Sequence, residues 1–505
     1  MRGLTRRRQT ICFSLMSMAV GFSLSRPSSD EMAAAALIAV VCAGGSLNWR
    51  PNERLTSTQL PASLPRPASE PSTELRYGVA GESTLQSSWE RVAWLALGGL
   101  LTLSYGFNNV QVPVPGLPVP LVDVLLVALL LGSRKHWTGF AQNAGREITG
   151  ALCLLLALGL FRLTIDVPRH GALALRDALF VLEAFGLLLG VAMAQRLSRE
   201  ACERIVRALF MLATGWLALY PVRDAIQAAS PVVGVQKAVP LLSFTSAGIV
   251  AALALLWFLD ESSPRFRVFT VVAVGVVLLA QMRGVYLAIP IALVVRGLLG
   301  RAKRGTSAGV VLGRAIAPAL VMLAIFSVVP LPGRLGVAGP ELVVEQLSTL
   351  RGEKGAGSGS LEAREEWWPR VIERVQREPA GQVIGVGFGP DLLAGYEGPD
   401  GSKIRKPHND FLEIWARTGW LGLAVWLLLL GRIVRALLCV ARAGDRIAIW
   451  ALSMQPVFVI VALSQPLFAF AYGGLVYFVL CGLALAPSVD RGSVENADPV
   501  REVGA

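Results

Sequence analysis

Between residues 91 and 487 the chain repeats one pattern: an apolar run about long enough to cross a bilayer, then a short polar break. The runs fall near 91–107, 118–132, 147–164, 174–195, 203–221, 240–258, 267–281, 284–300, 314–332, 418–438, 447–465 and 469–487. A spanning helix needs about 20 mostly apolar residues, because its backbone amides must be satisfied inside the segment. Of the 505 residues 54% are hydrophobic and only 16% charged, against about 25% charged in soluble domains. An ordinary soluble enzyme is excluded, and so is a disordered chain. The expected fold is an all-α polytopic membrane protein with roughly 12 transmembrane helices. The runs on either side of Arg283 read equally well as one helical hairpin broken at its tip.

The net charge of +12 belongs to the loops and does not indicate a nucleic-acid partner. With residue 90 placed in the cytoplasm, the inner loops carry eighteen Lys and Arg. The short outer loops carry five: Arg169, Arg176, Arg223, Lys237 and Arg283. Positive side chains collect on the cytoplasmic side. Residues 91–332 are therefore read as membrane helices, 333–417 as one large periplasmic loop containing helices, 418–487 as the C-terminal membrane helices and 488–505 as a cytoplasmic tail. Residues 1–90 form an N-terminal extension. Its apolar stretch after Arg6, Arg7 and Arg8 fits a signal sequence, a downstream start, or a helical hairpin over 10–47, the reading adopted here. The Pro-, Ser- and Thr-rich stretch 50–90 reads as a disordered linker. Six cysteines without a C-x-x-C pair give neither a disulfide framework nor a metal site.

Loop 333–417 is the one hydrophilic segment long enough to form a lid. After a flexible stretch at 355–360, the positions Trp367, Trp368, Val371, Ile372 and Val375 recur at helical spacing, predicting an amphipathic helix over 361–377. Pro369 fits such a helix only near its start or at a kink. Next come Gly385-Val386-Gly387-Phe388-Gly389-Pro390 and finally Lys406-Pro407-His408-Asn409-Asp410, which leads into a membrane run. The chain has no H-E-x-x-H, P-loop, G-x-S-x-G or D-x-D pattern. Gly385 to Gly389 lacks the G-x-G-x-x-G spacing and reads as a tight turn rather than a phosphate cradle.

His408 is one of three histidines, and imidazole can take a proton near neutral pH. Its plain alternative is an interfacial histidine at a helix entrance, with Asn409 or Asp410 as the N-cap. Arg283 sits at the outer tip of two apolar runs, where a guanidinium costs at least about 2.5 kcal/mol and usually has an anionic partner. Snorkelling to headgroups is the alternative. Arg364 opens the loop helix among Glu362, Glu365 and Glu366, as a solvated face would. Arg162, Arg176, Arg223 and Lys237 lie near outer helix ends. Glu183, two turns below Arg176, reads as its buried ion partner. Trp367 and Trp368 read as interface anchors, a role compatible with stacking on sugar.

The segment Pro407-His408-Asn409-Asp410-Phe411-Leu412, continued to Gly419-Trp420-Leu421-Gly422, resembles the O-antigen ligase and O-antigen polymerase family of membrane glycosyltransferases. That family carries H-N-x-x-L followed by G-x-x-G. Arg364 with Trp367, the glycine turn after Pro379, and Met282-Arg283-Gly284 at a helix tip match as well, so the resemblance covers roughly 230–430. The family often has Ser where this chain has Met282. It also often has a basic residue and an Asn-Pro-Asn-like turn where this chain has Lys237 and then Ser243 to Ser246.

The resemblance implies transfer of a glycan from a polyprenyl-diphosphate carrier to a hydroxyl of a glycan, lipid A core or protein, at the outer face of the bacterial inner membrane. Neither cofactor nor metal is implied, because the diphosphate linkage is itself activated and arginines can stabilise the leaving group. It assigns His408 as general base, with Arg283 and Arg364 on the diphosphate. Asn409, Lys237, Arg176 and Trp367 are then the substrate-binding candidates. The other reading is a transporter of a small anion or glycan. Transporters place ionisable groups near the bilayer midplane in paired halves, and Glu183 is the main deep candidate here.

Overall fold

The computed structural model describes residues 87–486, apart from 115–116, 143–144, 231–240, 262, 305–307, 350–354, 356–358 and 397–403. The expected hairpin at 10–47, nearly all of the linker, Lys237 and the tail 488–505 lie outside the described residues. Helices α1 (Ser88–Thr102) and α2 (Tyr105–Asn109) lead to a two-stranded antiparallel ribbon, β1 (Gln111–Val114) and β2 (Leu117–Pro120), paired Val112 to Val119. Then come α3 (Leu121–Gln142), α4 (Arg146–His170), α5 (Ala172–Asp177), α6 (Leu179–Glu183), α7 (Gly186–Gln195), α8 (Arg199–Leu217) and α9 (Arg223–Ala228). The sequence continues as α10 (Phe244–Phe258), α11 (Pro264–Ala280), α12 (Arg283–Arg304) and α13 (Ala308–Val328). The loop holds α14 (Pro340–Ser348), α15 (Gly359–Arg377) and α16 (Gly381–Ile384). The chain closes with α17 (Asp410–Arg442), α18 (Arg446–Ser453), α19 (Gln455–Ala462) and α20 (Gly474–Leu485).

Among the described residues each of the twelve apolar runs is mostly helical, although 118–132 opens on β2. Four stretches are long and apolar enough by themselves to cross a membrane: Arg146–His170, Arg199–Ala228, Gly309–Val328 and Asp410–Arg442. They turn large apolar side chains outward, among them Leu160, Phe161, Leu320, Val321 and Val328. Side chains of that kind over whole helix faces belong against lipid. This is a multi-pass membrane protein.

Three boundaries differ from the sequence reading. The run 174–195 is α5, α6 and α7, broken at Ala178 and at Ala184–Phe185. The run 469–487 becomes helical only at Gly474, after a folded non-helical stretch. The last part of the loop is already helix, because α17 starts at Asp410 and runs on past a break at Gly419. Pro369 lies well inside α15, not at its start.

Helices α7 and α20 touch backbone to backbone: a Cβ on Gly190 would lie 2.1 Å from the Val479 carbonyl oxygen, and one on Gly482 2.1 Å from that of Leu187. Small residues permit such approach in a membrane interior, where dispersion contacts replace hydrophobic expulsion. Ion pairs tie the helix ends at one face. Arg199 pairs with Asp445, Arg207 with Glu261 at 2.8 Å, Arg446 with Glu261 at 2.6 Å and Arg296 with Asp260 at 2.6 Å. Arg196 reaches Glu90 at 3.3 Å and Arg432 reaches Glu147 at 2.5 Å. All of these residues come from segments that charge counting put on one side.

Candidate active site

At the opposite end, Gln281 takes a left-handed conformation (φ 52°) between α11 and α12, which turns the chain so that Arg283 starts α12. Arg283 is 7% exposed, and its Nη1 donates to the Thr349 hydroxyl at 2.6 Å, just after α14. The next residue, Gly284, lies against Ser464: a Cβ there would be 3.3 Å from the Ser464 Oγ. Ser464 belongs to the stretch between α19 and α20. Its carbonyl accepts from Arg364 Nη2 at 2.7 Å, and Arg364 is fully buried. Ser464 is therefore a post that Arg364 holds directly and against which Gly284, the residue after Arg283, packs.

His408 stands beside Arg364. Burial and the Arg364 charge push its imidazole down to about 4, so it is neutral at physiological pH. Its Nδ1–H donates to the Lys406 carbonyl at 3.1 Å. A carbonyl can only accept, which puts the proton on Nδ1 and the lone pair on Nε2. His408 also has φ 52°, a conformation costing about 1–3 kcal/mol for a non-glycine residue. The flanking contacts hold it. Trp368 Nε1 donates to the Pro407 carbonyl at 2.9 Å, and Asn409 caps α17 by accepting from Leu412 N at 3.0 Å. Asp410 Oδ2 accepts from Phe468 N at 2.7 Å, and Lys406 Nζ meets Glu413 at 3.3 Å.

The glycine turn is a cradle, and carboxylates of the protein fill it. Phe388 N donates to Asp166 Oδ2 at 2.7 Å and Gly389 N donates to Asp177 Oδ2 at 3.1 Å. Gly387 has φ 94°, and a Cβ there would lie 2.1 Å from Arg162 Nη2. Arg417, fully buried, pairs with Asp177 and with Glu413 at 3.0 Å each, and donates to the carbonyls of Gly387 and Pro390. Gly419 (φ 68°) gives the break in α17 that lets residues 383–384 lie against it. The turn thus docks the loop on α4, α5 and α17.

Residues 268–427 match the family model of the O-antigen ligases. Over that segment the chain is similar to the O-antigen ligases. No curated protein gives a match. The matched segment covers most of α11, all of α12 and α13, the loop and the first half of α17, and so includes Arg283, Arg364 and His408. Ser464, Asp166 and Asp177 lie outside it.

Of the residues singled out in the sequence, Arg364 and His408 are close enough to interact electrostatically, while Arg283 contacts Thr349 and is followed by Gly284, which packs on Ser464. Trp367 is fully buried, but in the loop's own small core with Val371, Val375, Leu392 and Leu393, and it does not anchor to lipid. Its ring lies 5.5 Å from that of His408. Asn409 spends its Oδ1 on the helix cap. Arg176 is exposed and lines a narrow cleft with Asp177, Lys406, Asp410 and Glu413. The expected Arg176–Glu183 pair is not formed among the described residues. The break at Ala178 separates the two faces, and Glu183 is buried while Arg176 is not. Sequence reading missed Ser464, Thr349, Asp166, Asp177 and Arg417. Only Arg417 had a signal, lying inside the family motif between His408 and Gly419.

Proposed function

We propose that this protein is a glycosyltransferase that moves a glycan from a polyprenyl-diphosphate carrier to an acceptor hydroxyl at the periplasmic face of the inner membrane. The observation that carries the reading is the buried Arg364 held on the Ser464 carbonyl, with a neutral imidazole beside it and Gly284, the residue after Arg283, packed on the same serine. The diphosphate lies across the two guanidiniums. The acceptor O–H gives its proton to His408 Nε2 as its oxygen bonds to the anomeric carbon. The bond from that carbon to the diphosphate oxygen breaks, and the electron pair leaves on the diphosphate, where Arg283 and Arg364 stabilise it. Chain length and acceptor identity separate ligase from polymerase: loss of a ligase leaves long chains on the carrier, and loss of a polymerase leaves single repeats.

Lipid-linked glycan profiles from cells lacking the protein, complemented with wild type or His408→Ala, test the proposal. Accumulated carrier-linked glycan that wild type clears and His408→Ala does not, at equal membrane abundance, is the expected result. Full rescue by His408→Ala overturns the base assignment. No change in carrier-linked glycan on deletion overturns the reaction.

A further inference from the structure

We propose that Arg334, on the turn pinned to the hairpin tip before Arg283, is a third diphosphate-binding cation of the site, and that three guanidiniums select a diphosphate carrier over a monophosphate one. This rests on the donor class proposed above.

The placement of Arg334 is built by the turn that follows α13. Pro332 and Val337 form an isolated bridge, and Gly333 N donates to the Gly336 carbonyl at 2.8 Å. Arg223 clamps this turn from α9, donating from Nη1 to the Pro332 carbonyl and from Nη2 to that of Gly333, both at 2.9 Å. The turn is pinned to the hairpin tip before Arg283. Arg334 N donates to the Leu279 carbonyl at 3.1 Å, Leu335 N donates to Gln281 Oε1, and Gln281 Nε2 reaches the Gly336 carbonyl at 3.4 Å. The left-handed, buried Gln281 therefore shapes the hairpin tip and also holds the turn that carries Arg334.

The guanidinium itself is fixed by an aromatic face. Arg334 Cζ lies 3.8 Å from the centroid of the Phe244 ring, at the start of α10. A helix N-terminus presents partial positive charge, adding to the attraction for an anion at that point. Burial first, and the like charge of Arg283 after it, push Arg334 down to about 10, while Tyr220 acts in the opposite sense. Two guanidiniums that influence each other in a partly dry site make a strong anion receptor. Arg283 lies between the two in the chain's packing: the turn carrying Arg334 is pinned just before it, and Gly284 just after it packs on Ser464, which Arg364 holds. A single phosphate is well served by two arginines, whereas the third adds most to a group with a second phosphate.

The purified full-length protein in nanodiscs, titrated with farnesyl diphosphate and farnesyl monophosphate, provides the test. Wild type is expected to prefer the diphosphate. Arg334→Gln is expected to lose about tenfold in diphosphate affinity, as removal of a charge-assisted contact does, with monophosphate affinity nearly unchanged. Arg334→Lys should restore part of the loss, because a point charge replaces a fork. Phe244→Leu, which removes the ring and no charge, should weaken diphosphate binding about threefold; it and Arg334→Lys decide the matter if Arg334→Gln does not fold. An unchanged diphosphate preference in these variants removes Arg334 from the site and leaves the proposed reaction standing. Failure of wild type to bind the diphosphate overturns both.

Discussion

The two ends of the helix bundle use arginine differently. At one end Arg199, Arg207, Arg296 and Arg446 meet the carboxylates of Asp445, Glu261, Asp260 and Glu203. At the other, Arg283 meets a hydroxyl and Arg364 a carbonyl. A carboxylate partner cancels charge and staples helix ends together. A hydroxyl or carbonyl contact orients a guanidinium without cancelling its charge. The loop end also contains matched arginines, Arg162 with Asp166 and Arg417 with Asp177, and these dock the loop. Carboxylate-paired arginines build the molecule; Arg283, which reaches a hydroxyl, and Arg364, which reaches a carbonyl, are the ones assigned to the diphosphate.

The largest effect should fall on His408. His408→Ala should reduce transfer by about 10²–10⁴-fold, as loss of a general base does, with unchanged membrane abundance; a carrier-linked glycan assay checks it. Next is the loop dock. Asp177→Asn leaves Arg417 paired with Glu413 but takes away its second carboxylate, and should destabilise the fold by about 1–3 kcal/mol. Thermal melting in detergent measures this, and an unchanged melt would mean the dock contributes nothing.

The acid dependence of transfer should be smaller and diagnostic. The native imidazole of His408 lies at about 4, below the usual histidine value of about 6.5. The base stays free of its proton through pH 5.5, and the acid limb of the rate should appear near 4. By the same linkage, acid favours the unfolded chain, which takes up the proton below about 6.5 while the native imidazole does not. The His408 contribution to stability is present above that pH, falls as pH drops toward 4, and levels off below. A limb at about 6.5 would show an unperturbed histidine.

The smallest effect belongs to the surface of the other end. Arg432 and Glu147 are substantially exposed, so Arg432→Gln should cost about 0–1 kcal/mol and leave transfer rates unchanged.

The membrane helices were legible because burial in lipid forces a repeated apolar run whatever the partners. The motif from His408 to Gly419 was legible because a capped helix start and a glycine break leave local residues behind. Ser464 was not, since one serine among apolar residues gains meaning only when Arg364 arrives from 100 residues away. Asp166 and Asp177 were hidden for a related reason: a glycine turn looks the same whether it cradles a ligand or the protein's own carboxylates. Trp367 was misplaced because helical periodicity marks an apolar face without saying whether lipid or protein covers it. The break at Ala178 carried no glycine or proline, so Arg176 and Glu183 were wrongly put on one face.

A structure of the protein with a bound polyprenyl diphosphate tests the central claim most directly. Both the Arg283 and Arg364 guanidiniums are expected on the same diphosphate, with His408 Nε2 facing the position the sugar would occupy. A diphosphate held by only one of them, or bound elsewhere, would contradict it.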